Sequence, residues 1–164
     1  MNNAHGNAQK TSPGGRRTLG FLLRESSRLM RRRFVRHARR TGLPLNPSEA
    51  SLLWQVMHEP GTSQSGMANL LDLETISVVR LVDSLEQAGL LERRPHPTDR
   101  RIRTLWLTEA GEAAVGQVRR INEIVRREAL AGISKPDREQ VLDTLLTMRT
   151  NLVRAAEADT SVTA

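Results

Sequence analysis

The chain of 164 residues has no cysteine and no tyrosine, and Phe21, Phe34, Trp54 and Trp106 are its whole complement of Phe, Trp and Tyr. Without cysteine there is no disulfide, no thiolate metal site, no cysteine nucleophile and no thiol-based redox sensor. With so few rings there is no platform for stacking unpaired bases, the usual way single strands are held. A nucleic-acid partner would therefore be duplex DNA. No apolar run approaches the roughly 20 residues that span a bilayer. Met1 to Arg17 is polar, contains Pro13-Gly14-Gly15 and lacks the apolar stretch of a secretory signal. The expectation is a cytoplasmic chain with no membrane partner. His5, His37, His58 and His96 are scattered, with no His-x-x-x-His spacing, no Ser-His-acid grouping and no Gly-rich phosphate loop beside them. No metal, cofactor or enzymatic activity is expected.

What is present is positive charge. Lys and Arg number 25 against 18 Asp and Glu, a formal net charge of +7. Such a balance favours a polyanion, although solubility alone could account for it. Residues 1–17, polar and aperiodic, read as a disordered tail. A long helix begins at Leu19, with apolar stripes through Leu22, Leu23, Leu29, Met30, Phe34 and Val35, and stops near Gly42. Asn46-Pro47-Ser48-Glu49 has the form of a capping box for a second helix. Thr62 or Ser63 starts a short third helix. A fourth follows the Asp72-Leu73-Glu74 turn, with Val78, Leu81, Val82 and Leu85 on one buried face. Leu90–Arg94 and Ile102–Leu107 read as two strands, and the prolines between them are expected to end the pairing. Thr108 and Ser134 cap a fifth and a sixth helix. The sixth carries Leu142, Leu145, Leu146, Leu152 and Val153.

This order predicts a mainly α fold with a small β-hairpin: a winged helix-turn-helix over 46–107, flanked by long helices over 18–45 and 108–158. The tail 159–164 is expected to fray. The flanking helices carry more apolar surface than the small middle can cover, so a dimerisation layer against a second copy is expected.

Within the middle, Leu85-Glu86-Gln87-Ala88-Gly89-Leu90-Leu91-Glu92-Arg93 is followed by Asp99-Arg100-Arg101. Leu107-Thr108-Glu109-Ala110-Gly111 comes next. In this order and spacing the three motifs resemble those of the MarR family of bacterial transcriptional regulators, and Glu74–Arg80 is most similar to its SlyA branch. The resemblance implies a homodimer that binds an inverted repeat in double-stranded DNA, most often as a repressor, and often yields it to a small aromatic or anionic effector. The rival expectation is a nucleoid-type architectural or anti-silencing protein with low sequence specificity, which the same charge would support.

On the fourth helix, Thr75, Ser77 and Arg80 lie away from the buried face. A helix-turn-helix places that region in the major groove, where Arg80 can grip guanine O6 and N7, and Ile76 or Val79 can pack on a thymine methyl. Arg80 could instead pair with Glu74 or Asp83. Ser63 and Gln64, at the start of the third helix, suit a phosphate or plain capping. In the wing, Asp99 can accept a guanidinium and hold it extended. The resemblance implies that Arg101 enters the minor groove with Asp99 as its orienter. Arg93, Arg94, Arg100 and Arg103 are expected to neutralise phosphates, unless the loop is simply a solubilising basic turn. An anionic aromatic effector is further implied between the dimer helices and the DNA-binding lobe, near Trp54 and His58, with Arg28 or Arg31 for its carboxylate. Ordinary core and surface roles for Trp54 and His58 stay open.

Overall fold

The computed structural model describes residues 18–99 and 101–162. The expected tail 1–17 and Arg100 lie outside the described residues. The elements are α1 (Leu19–Arg40), α2 (Pro47–His58), α3 (Gln64–Leu71), α4 (Thr75–Gln87), β1 (Leu91–Pro95), β2 (Arg103–Leu107), α5 (Glu109–Ala129) and α6 (Lys135–Val162). β1 and β2 form an antiparallel hairpin. α6 stays helical through Val162, into the stretch where fraying is expected.

Local chemistry sets the ends of these elements. Asn46 Oδ1 accepts the backbone N–H groups of Ser48 at 2.9 Å and Glu49 at 3.0 Å, and Glu49 Oε2 accepts that of Asn46 at 2.9 Å. Such a cap is worth about 1 kcal/mol. Here it also ties two helices together, because the other oxygen of the buried Glu49 accepts the Ser84 hydroxyl of α4 at 2.8 Å. Ser63, not Thr62, caps α3, accepting from Gly66 N–H at 3.1 Å. Thr108 Oγ1 accepts from Gly111 N–H at 3.0 Å and donates to the Gly89 carbonyl at 2.7 Å.

The hairpin register pairs Leu91 with Leu107, Arg93 with Leu105 and Pro95 with Arg103. Pairing thus extends to Pro95, one residue further than expected. Pro95 is tolerated because it shares the parity of Arg93, whose partner Leu105 turns its N–H away from β1 to Thr62; no N–H is asked of Pro95, and the bonding resumes with His96 N–H to the Ile102 carbonyl. On its other edge β2 is held by the loop before α3, through Gly61 N–H to the Leu105 carbonyl and Leu105 N–H to the Thr62 carbonyl, both 3.0 Å. Gly61 has φ +82°, and a Cβ there would sit 2.9 Å from the Trp106 ring, so this crossing needs glycine.

The chain divides into two compact units with the boundary between Val125 and Arg126. The first has one core. Leu52, Leu53 and Val56 of α2, Met67 of α3, Val78, Val82 and Leu85 of α4, and Leu91 and Leu105 of the hairpin are at most 1% exposed. Each such side chain contributes about 1.5–3 kcal/mol through burial. Phe34 and Ala38 of α1, and Val115, Val118 and Ile121 of α5, belong to the same cluster. Parts of both flanking helices therefore share the core of the winged helix. Leu19, Leu22, Leu29 and Met30 of α1 are exposed. In the second unit, α6 exposes Leu142, Leu145, Leu146, Leu152 and Val153.

Candidate nucleic-acid interface

α3 and α4 are joined by a tight turn. Asp72 takes the left-handed conformation at φ 51°, which Asp tolerates better than most residues, and Leu73 N–H bonds back to the Ala68 carbonyl at 3.0 Å. α4 then begins without a side-chain cap. Val78, Val82 and Leu85 bury one face. Thr75, Ile76 and Arg80 are exposed and Ser77 and Val79 half-buried. Arg80 pairs with neither Glu74 nor Asp83. Asp83 is committed elsewhere, and the Arg80 side chain makes no hydrogen bond or ion pair among the described residues.

Asp83 is held by Arg93. From β1, the Arg93 guanidinium reaches Asp83 Oδ1 at 2.5 Å, forms a close ion pair with Glu86 and donates to Gln64 Oε1 from Nε at 3.2 Å and from Nη2 at 3.0 Å. Its backbone N–H also reaches Glu86 Oε1 at 3.2 Å. Only 18% of the side chain is exposed. Arg93, expected to neutralise phosphates, is thus engaged by Asp83, Glu86 and Gln64, and Gln64 gives its carbonyl to Arg93. Strand alternation carried the signal: Leu91 faces inward, so Arg93 does too.

Arg94 points the other way. Its guanidinium pairs with Glu92 and lies 4.8 Å from the Trp106 ring centroid, a cation–π contact. Trp106 Nε1 donates to Thr104 Oγ1 at 2.9 Å, and Thr104 Oγ1 donates to the Arg94 carbonyl at 3.1 Å.

At the wing tip Asp99 Oδ1 accepts the backbone N–H of Arg101 at 2.9 Å. It shapes the turn, and among the described residues no bond joins it to the Arg101 guanidinium, which it was expected to orient. An Asp side chain reaches the amide two residues on more readily than a flexible guanidinium at the same spacing. Ile102 N–H to the Asp99 carbonyl and His96 N–H to the Ile102 carbonyl, both 3.0 Å, close the loop. Arg101 and Arg103 are exposed. Ser63 is half-buried, its hydroxyl capping α3 and lying 3.1 Å from that of Ser65.

The expected effector residues are only partly brought together. The Trp54 and His58 ring centroids lie 4.7 Å apart, and His58 Nδ1 donates to the Trp54 carbonyl at 2.8 Å. Arg28 is bound to Glu25 on its own helix. This hydrogen bond holds the Glu25 carboxyl below the usual carboxylate range and raises the Arg28 guanidinium. Arg31 is exposed. No hydrogen bond or ring contact joins either arginine to Trp54 or His58 among the described residues. An open groove of about 430 Å³ runs along α6, past Gln140, Thr144, Thr147 and Met148, on a different element from all four. Among the described residues no cluster of His, Asp and Glu could hold a metal ion, and no helix is long and apolar enough to cross a membrane.

Comparison with known proteins agrees with this architecture. The family model described as "MarR family" matches residues 45–102. An uncharacterized HTH-type transcriptional regulator, YdgJ of Bacillus subtilis (strain 168), is 30% identical over 108 residues, 66% of this chain and 66% of that protein. The transcriptional repressor CouR, bound to a 23-mer DNA duplex, superposes with a TM-score of 0.70 at 25% identity, covering 81% of this chain and 92% of that one. The transcriptional regulator SlyA does so with a TM-score of 0.69 at 25% identity, covering 80% and 93%.

Proposed function

Because the chain belongs to the MarR family of DNA-binding transcriptional regulators, we propose that it is a sequence-specific repressor acting as a homodimer on an inverted repeat. The observation that carries this reading is the exposed first half of α4. There Thr75, Ile76 and an Arg80 whose side chain has no partner among the described residues face away from the core beside a tight turn. Two such helices would enter successive major grooves roughly 34 Å apart. The exposed Arg101 and Arg103 of the wings would lie in flanking minor grooves and on phosphates. The repressor assignment follows CouR. The exposed leucines of α1 and of α6, each taken separately, support assembly with a second copy. Acting on DNA, the protein would work in the cytoplasm. Relief by an anionic aromatic effector rests on Trp54 and His58 alone. It is tested by asking whether benzoate releases bound DNA and quenches tryptophan fluorescence.

An architectural protein needs charge but no base reading, and an Arg80 side chain without a partner among the described residues, at the groove-facing end of α4, favours the specific reading. The test is selection of bound genomic fragments at about 150 mM salt, where phosphate-only binding is weakened. A few fragments sharing an inverted repeat are expected; broad A·T-rich recovery without a repeat would replace this reading with the architectural one. Arg80→Ala should then lower affinity for the selected site by about 1–3 kcal/mol and for random duplex far less. An equal loss on both would remove Arg80 from base reading.

A further inference from the structure

Two carboxylates, Asp83 and Glu86, stand on the exposed side of the helix that is to approach a polyanion. On charge alone they oppose binding. They are joined to Arg93 of β1, which also reaches Gln64 of α3. One guanidinium thus links the wing, the recognition helix and the helix before it; the arginine side chain itself is largely sheltered, while Asp83 and Glu86 remain exposed. The cluster is one cation against two anions and so stays net negative. Its presence on a DNA-facing element is explained by geometry, not by attraction. Arg suits this role where Lys does not, because its planar fork serves several acceptors at fixed angles.

We infer that Arg93 is a positioning residue for DNA recognition. Clamped by Asp83, Glu86 and Gln64, it fixes the wing against α4, so that the base-reading helix and the minor-groove arm address DNA as one rigid body. This rests on the proposed specific regulator. It assigns the cluster to the ratio of specific to random affinity, leaving attraction to phosphates to the other arginines.

The test uses the full chain, a duplex selected by the wild-type protein from a randomised library, and a random duplex. Binding is measured over a range of salt, with thermal unfolding of each variant recorded so that comparisons are made on folded protein. Asp83→Asn with Glu86→Gln removes two negative charges, and by electrostatics alone would strengthen binding to both duplexes. The clamp predicts instead that random affinity rises while the ratio of selected to random affinity falls about tenfold, roughly 1.4 kcal/mol. Arg93→Lys keeps the charge and loses the fork, and should lower the ratio similarly. Arg93→Ala should leave the salt dependence on the selected duplex nearly unchanged, whereas loss of a phosphate contact would reduce its slope by about 1. An unchanged ratio in the Asp83/Glu86 double variant or in Arg93→Lys overturns the clamp, as does a slope reduced by about 1 in Arg93→Ala. A wild-type chain with no preference between duplexes is a different result: it removes the specific regulator, and this inference with it.

Discussion

Helices α4 and α6 each carry apolar residues along one face, and these faces meet opposite fates. Val78, Val82 and Leu85 of α4 are at most 1% exposed, under α2, α3 and the hairpin, whereas Leu142, Leu146 and Leu152 of α6 are 58, 61 and 64% exposed. A periodic apolar stripe states that a face is to be covered. It does not state what covers it. In α4 the coverer is written into the same chain, close by in sequence. The exposed stripe of α6 is the kind of surface that a second copy can bury.

The sharpest way to break this contrast is one substitution made at two places. Leu52→Ala, in the buried core, should lower unfolding free energy in urea by about 2–5 kcal/mol. A loss below about 1 kcal/mol would mean that the core of the winged helix is loosely packed. Next in size is a pair within α5. A Cβ on Gly111 would lie 2.0 Å from the Leu90 carbonyl oxygen, while one on Gly116 meets nothing within 4 Å. Gly111→Ala should therefore cost at least about 1–3 kcal/mol, and Gly116→Ala should gain up to about 1 kcal/mol from helix propensity. Thermal unfolding of both variants checks the signs, and equal effects would mean that Gly111 does not rest against Leu90 in solution. The smallest effect is expected for Leu146→Ala: under about 0.5 kcal/mol on unfolding of dilute monomer, with weaker self-association in sedimentation. A loss as large as that of Leu52→Ala in dilute protein would show that the α6 face is already covered within one chain.

Much of the winged helix was legible because its signals are local. The Asn46–Glu49 box, the Thr108 cap and the α4 stripe each span a few residues, and each forms as read. The site was less legible where a side chain has remote partners. Arg93 and Arg94 are neighbours in a basic run, yet one faces α3 and α4 and the other lies over Trp106. Strand alternation tells them apart, but Gln64 lies 29 residues away and Asp83 lies 10, beyond any local pattern. Asp99 is the opposite case: the partner it has is local, the backbone amide of Arg101 and not that residue's guanidinium. Arg28 and Trp54 are attractive as a ligand pair in sequence, but Glu25 engages the arginine within one helical turn.

The joint at the root of the wing has a mechanical consequence. Thr108 follows β2 directly. Its N–H reaches the Leu90 carbonyl at 3.2 Å, its hydroxyl reaches the Gly89 carbonyl, and Gly111 rests against Leu90 with no room for a methyl group. The first turn of α5 is thus bolted to the short link between the end of α4 and the start of β1. A joint packed this closely leaves the first turn of α5 little room to tilt without moving the end of α4 and the start of β1 with it.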